Sequence, residues 1–276
     1  MTSEDRDRTR RFYDDLGEKE RDRLVQDVAG RVSFEVHRRF LARFVTPGMR
    51  VLEIGAGPGR FTEVLAALGA TVVVTDLSPV QLDLNRRFLA GTAAEAAVER
   101  RDLVDVCDVG RYRAGEFDLV LAYGGPLSYA FEETEAALRG LLRVTAPGGV
   151  VLGSVMSNLG TWRHALAGVV RVAEAYGEDA NDAVLHTGDL RHLPGWSHVC
   201  RMFRAREVAD LAGAAGGRLV ATSASNWASL GDREALAALE ADADRWSRFL
   251  DHEVAACAEP GAVDGGTHIL FAVRHA

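Results

Sequence analysis

The stretch VLEIGAGPGR, residues 51 to 60, decides the fold. An apolar run, Val51-Leu52-Glu53-Ile54, leads into a loop with glycines at 55, 57 and 59. A buried strand running into a glycine-rich turn is how a nucleotide-binding α/β unit begins. The dinucleotide pattern G-x-G-x-x-G asks for its third glycine at position 60, for close helix-on-strand packing, and Arg60 stands there instead. Pro58 removes one of the N–H donors that would receive a pyrophosphate at a helix N-terminus. Glu53 puts a carboxylate at the end of the strand, where it repels phosphate and attracts a cation. The loop suits a positively charged ligand that the backbone approaches closely.

Working outward, strand and helix patterns alternate. Continuous apolar runs, MRVLEIGA, TVVVTD, FDLVLAYG and GVVLGSVM, read as strands of a sheet buried on both faces, with VERRDLV a weaker one between the second and the fourth. Helices are predicted over FTEVLAALGA, from the Ser78-Pro79 start with Gln81 three residues after the serine, and over FEETEAALRGLLRV, which Pro147 and the two following glycines stop. The chain ends with helix REVADLAGAAGG and strands RLVATSASNW and HILFAVRH. This order specifies a doubly wound α/β fold with a mostly parallel sheet and a ligand at the carboxyl ends of its strands. Residues 1 to 45 are helical by pattern and read as a cover, 46 to 157 as the cofactor-binding core, and 158 to 200 as a substrate-covering insertion. Residues 201 to 276 complete the core, with a helical insertion at about 230 to 258, where Leu236, Leu239, Ala243, Trp246 and Leu250 recur at three- and four-residue steps.

Composition narrows the function. The 276 residues carry a net charge of −8, with the arginines interspersed among acids, so a nucleic-acid partner is not expected. No apolar run approaches a membrane span and the N-terminus is charged, so no membrane association and a cytoplasmic location are expected. Lys19 is the only lysine, which leaves no Walker motif, no Schiff-base lysine on a core element and no Tyr-x-x-x-Lys pair. Cys107, Cys200 and Cys257 are far apart and suggest neither disulfides nor zinc. The histidines at 186, 192 and 198 lack metal-ligand spacing, so no metal is expected.

VLEIGAGPGRF, Asp76 closing the next strand, the D-L-S-P helix start, DVCD, FDLVLAYGG and the PGG turn together resemble the class I S-adenosylmethionine-dependent methyltransferases. The resemblance is close over about residues 45 to 155. It implies a seven-stranded Rossmann-like methyltransferase fold whose last strand, HILFAVRH, runs antiparallel between the fifth and sixth. It also implies S-adenosylmethionine as cofactor. Glu53 would favour its positive end, Gly55, Ala56 and Gly57 would allow close approach, and Asp76 would accept from the ribose hydroxyls. Leu77 and Gln81 stand at adenine-contacting positions, Gln81 departing from the apolar residue common there. Asp105 would accept from the adenine amino group, with Asp108 as competitor, and Val106 would offer its N–H. Tyr123 would lie under the methionine part, and Tyr13 is a further candidate contact.

The absence of N-P-P-Y and of a Pro-Cys nucleophile, with YGGPLSY in their place, makes the resemblance one to small-molecule methyltransferases. The expected activity is direct, metal-independent methyl transfer to a small-molecule acceptor. Tyr129 and Trp196 are candidate acceptor contacts, and His198 in HVCRMFRAREVADL is a candidate base. Two other readings of the glycine loop stand beside this one: a nicotinamide-dependent oxidoreductase, disfavoured by Pro58, Arg60 and the missing lysine, and a non-catalytic cofactor-binding protein.

Overall fold

A computed structural model describes all residues except Met1, Pro194 and Ser197. The runs without polar alternation become the strands β1 (Arg50–Ile54), β2 (Thr71–Asp76), β4 (Phe117–Ala122) and β5 (Thr145–Met156), whose central residues are buried on both faces. β3 (Val98–Leu103) carries Glu99, Arg100 and Arg101 and stays half-exposed, as suits a charged edge strand that resists pairing with another chain. With β6 (Gly217–Ala224) and β7 (His268–His275) the sheet has the order β3-β2-β1-β4-β5-β7-β6. All pairings are parallel except those of β7, which runs antiparallel between β5 and β6.

One boundary differs from the sequence expectation. The Pro147-Gly148-Gly149 segment lies inside β5, where the pairing with β4 shifts register between Phe117 and Leu119. A Cβ on Gly149 would lie 2.5 Å from the Asp118 carbonyl oxygen, so the backbones pass too closely there for a side chain.

Helices cover both faces. α1 (Ser3–Leu16), α2 (Lys19–Asp22) and α3 (Val28–Ala42) precede the sheet. On α3, Phe40 and Leu41 pack over Val51, Val72 and Leu119, while Val32 and Val36 turn to Leu236 and Leu250 of the C-terminal helices. α4 (Arg60–Ala67) and α5 (Pro79–Leu89) follow β1 and β2. α6 (Thr134–Val144) buries Leu138, Leu141 and Leu142 against Phe117, Val151 and Phe271 on the opposite face. The segment after β5 is helical, as α7 (Asn158–His164), α8 (Leu166–Tyr176) and α9 (Glu178–Thr187), followed by α10 (Ala205–Ala214). The helical stretch before β7 is a pair, α11 (Arg233–Glu240) and α12 (Ala243–Cys257). Among the described residues no helix is long and apolar enough to cross a membrane.

Candidate active site

The sheet's topology brings together the loops that end β1, β2, β3 and β4, where parallel strands point their carboxyl ends at a common crevice. A cavity there is walled by Ile54, Gly55, Gly57, Asp76, Leu77, Gln81, Val104, Asp105, Val106 and Tyr123, with Thr9, Tyr13 and Glu20 from the N-terminal helices and Tyr129 from the β4–α6 segment. Its open volume is about 90 Å³. Gly55 and Gly57 adopt φ of +69° and +53°, and a Cβ on Gly55 would lie 2.8 Å from the Pro126 ring, so the loop depends on glycine.

Asp76 organises this loop. One carboxylate oxygen accepts from the Gly57 N–H at 2.8 Å and the other from the Ser78 N–H at 2.9 Å, fixing the side chain in the wall of the cavity. Burial raises it to about pKa 6 against these two hydrogen bonds, which favour the charged form. Ser78 also caps α5 by accepting from the Gln81 N–H, which aims the Gln81 side chain at α1. The Gln81 amide nitrogen donates to the Tyr13 and Gly17 carbonyls, while Oε1 is buried with no partner among the described residues. Thr9 Oγ1, in the same wall, is likewise buried and unpartnered among them.

The two candidate acids after β3 part company. Asp105 lines the cavity, accepts from the Cys107 N–H at 2.8 Å and pairs with Arg6 of α1. Asp108 is exposed and, among the described residues, its side chain accepts only from the Gly110 N–H, at 3.3 Å.

Glu53 lies beneath the cavity wall. It is buried, accepts from the Thr62 hydroxyl at 2.7 Å, and is pushed up to about pKa 8, chiefly by desolvation. Ala56 also stays out of the wall and ties the loop to β2 through its N–H on the Thr75 carbonyl.

Tyr123 is buried among Phe61 and His37, at ring-centroid distances of 5.1 and 5.0 Å. Tyr13 Oη lies 2.6 Å from Tyr129 Oη, which lies 2.7 Å from His198 Nε2, forming a hydrogen-bonded row that leads away from the cavity wall. His198 stacks on Phe12 at 4.4 Å. As the candidate base it is displaced: Tyr129 stands between it and the cofactor cavity, and burial with the positive charge of Arg23 lowers it to about pKa 4. A group that weakly basic is poorly matched to removing a proton at neutral pH. Trp196 is also outside this cavity and lines a separate one beneath α7, α8 and α9.

The sequence reading missed Thr9, Glu20 and Arg23. Glu20 lines the cavity and is clamped by the Arg23 guanidinium at 2.7 and 2.8 Å. Nothing in the periodicity of the first 45 residues indicates which polar side chain of a charged helix turns inward.

The wall suits S-adenosylmethionine. Unpartnered acceptors at Gln81 and Thr9 and the carboxylates of Glu20, Asp76 and Asp105 match a ligand rich in N–H and O–H donors with a net positive end. A methyltransferase-domain family model matches residues 51–149. The chain is 31% identical over 181 residues to a demethylmenaquinone methyltransferase of Parafrankia, covering 58% of this chain and 70% of that one. A ubiquinone biosynthesis O-methyltransferase of Xanthomonas oryzae is 33% identical over 116 residues, 42% of this chain and 46% of its own length, so that match spans less than half of the relative. Among solved structures, the CcbJ methyltransferase of Streptomyces caelestis superposes with a TM-score of 0.55 at 18% identity, covering 88% of this chain and 89% of that one. The [4+2]-cyclase SpnF does so at 0.54 and 17%, covering 87% and 80%; at these identities both likenesses speak for the fold alone. The chain belongs to the class I S-adenosylmethionine-dependent methyltransferases.

Proposed function

We propose that the chain methylates a small-molecule acceptor by direct displacement, without a metal. The observation that carries this is the row Tyr13–Tyr129–His198: the wall of the cofactor cavity carries a half-buried tyrosine from α1 hydrogen-bonded to a buried one from the β4–α6 segment, an enclosed setting that suits a small acceptor. The two quinone-pathway relatives support a small acceptor, and the net charge of −8 disfavours a nucleic acid. The proposed setting is the cytoplasm, which suits the free thiols of Cys107, Cys200 and Cys257.

In this reading Asp76 holds the ribose hydroxyls, and Asp105, Val106, Leu77 and Gln81 hold the adenine. Gly55 and Gly57 admit the amino-acid part, whose ammonium and carboxylate face the paired Glu20 and Arg23. The cofactor supplies an electrophilic methyl group on a sulfonium. Tyr129 faces the acceptor; burial holds its hydroxyl well above the ordinary tyrosine range, so it remains a protonated, neutral group that orients. His198 acts through Tyr129 as a positioning residue, and alignment in a dry cavity is the main catalytic contribution.

The test is turnover of labelled S-adenosylmethionine against phenols, amines, thiols and carboxylates beside RNA, DNA and protein. Methylation confined to the macromolecules would overturn the small-molecule reading. Tyr129→Phe should lower kcat with unchanged S-adenosylhomocysteine affinity, and His198→Ala should follow it without moving the pH–rate profile.

A further inference from the structure

A second cavity, of about 250 Å³, lies beneath α7, α8 and α9. Its walls include Trp162, Val172, Val184, Leu193 and Trp196. Val172, Val184 and Leu193 are buried and pack in one cluster with Tyr129 and Met202. Trp162 and Trp196 remain 42% and 40% exposed, so they border the way in. His198 lines this chamber and is hydrogen-bonded to Tyr129 of the cofactor cavity, so that pair links the walls of the two spaces.

The chamber contains one polar feature without a structural explanation. Asn158 is 2% exposed, its amide nitrogen donates to the Leu185 carbonyl at 3.0 Å, and its Oδ1 has no partner among the described residues. A buried acceptor left unpaired is destabilising. Its nitrogen being committed to Leu185, the oxygen is left for whatever occupies the chamber. An apolar enclosure with two indoles and one convergent acceptor fits a neutral ring system carrying an O–H or N–H.

Resting on the small-molecule reading, we propose that this chamber holds the apolar ring part of the methyl acceptor, with Asn158 Oδ1 accepting from a hydroxyl or amine on it. The Tyr129–His198 pair is then the partition past which the reacting end meets the cofactor cavity.

The probes are 2-naphthol and naphthalene, which share a ring system and differ in the donor. Binding is read by calorimetry. The wild-type protein should bind 2-naphthol at least roughly fivefold more tightly than naphthalene, the ordinary worth of one hydrogen bond. Asn158→Leu should erase that preference; the Leu185 carbonyl keeps the Arg204 guanidinium as a donor at 2.9 Å, so no new orphan is made there. Gly168→Leu tests the space itself. Gly168 lines the chamber, and a Cβ there meets nothing closer than 3.9 Å, so the larger side chain enters open space and also favours α8. It should abolish binding of both probes. S-adenosylhomocysteine affinity, measured in parallel, should be unchanged in both variants. Equal binding of the two probes to wild type, or unaltered 2-naphthol binding in Gly168→Leu, overturns the site. With a small acceptor identified from the turnover panel, Gly168→Leu should raise its KM. An unchanged KM removes the acceptor from this chamber while leaving small-molecule methylation standing, whereas turnover of macromolecules alone overturns the functional reading itself.

Discussion

Asp76 and Glu53 are carboxylates at the ends of neighbouring strands, and the structure gives them different work. Asp76 sits in the cavity wall with both oxygens already holding backbone N–H groups, so its remaining lone pairs point where a diol can donate. Asp76→Ala should weaken S-adenosylhomocysteine binding by about 2 kcal/mol, roughly thirtyfold in Kd, by calorimetry; an unchanged Kd would move the ribose elsewhere. Arg23→Gln removes the clamp on Glu20 and should weaken the same ligand while leaving adenosine binding unaffected, since in the proposed pose only the amino-acid end meets that pair. Equal losses for both ligands would assign Arg23 to the fold instead. These two sites differ in how far the sequence disclosed them. Asp76 was legible because a strand's last residue is fixed by the pattern of the strand, and a buried carboxylate there needs a partner. Glu20 and Arg23 were not, because which face of a short charged helix turns inward is set by the packing of α1 and α2 over the loop. Glu53 was legible as a residue of the site region but not in its placement: the side chain follows the alternation of β1 down to Thr62 of α4 instead of up into the cavity.

At the scale of elements, α1 is the piece whose position the cofactor must contest. The cavity's volume of about 90 Å³ is below the several hundred usual for ligand sites. α1 closes it from above, with Arg6 on Asp105 and the Tyr13 and Gly17 carbonyls on Gln81. Arg6 therefore occupies the acceptor proposed for the adenine amino group. Arg6→Ala should tighten S-adenosylhomocysteine binding a few-fold, since a half-exposed ion pair is worth less than about 1 kcal/mol, and should speed association in stopped-flow measurements. Weaker binding in this variant would mean that Arg6 holds the ligand and does not compete with it. The sheet itself, including the antiparallel β7 between β5 and β6, was readable from order and apolar continuity together with the family resemblance. The chamber under α7, α8 and α9 was not, because the helical period reports which face is apolar and says nothing of the space left between three such faces.

For the molecule as a whole, buried titrating groups of both kinds set a stability optimum. His37, His198 and His268 are held neutral, lowered from 6.5 to about 4, 4 and 3, chiefly by burial and with the nearby positive charge of Arg23 acting on all three. Below pH 6.5 the unfolded chain binds protons at these histidines and the folded chain does not, so their contribution is complete above 6.5 and is lost as pH falls towards 4. Glu53 and Asp76 act in the opposite sense: raised from 4.5 to about 8 and from 3.8 to about 6, they favour folding when protonated, and that contribution is lost as pH rises through those values. From about pH 4.5 to 6 three histidine protons oppose two carboxyl protons, so stability rises with pH by roughly 1.4 kcal/mol per unit. Between 6.5 and 8 only Glu53 retains its extra proton, and stability falls at a similar slope. The melting temperature of the ligand-free protein should therefore peak near pH 6.5. Glu53→Gln keeps the acceptor for the Thr62 hydroxyl and removes the titration. Its melting temperature should be flat from pH 6.5 to 8, higher than wild type at pH 8, and its acid limb should be about twice as steep. A wild-type optimum at pH 8 or above would show Glu53 to be ionised in the folded protein and would restore it as a fixed negative charge beneath the glycine loop.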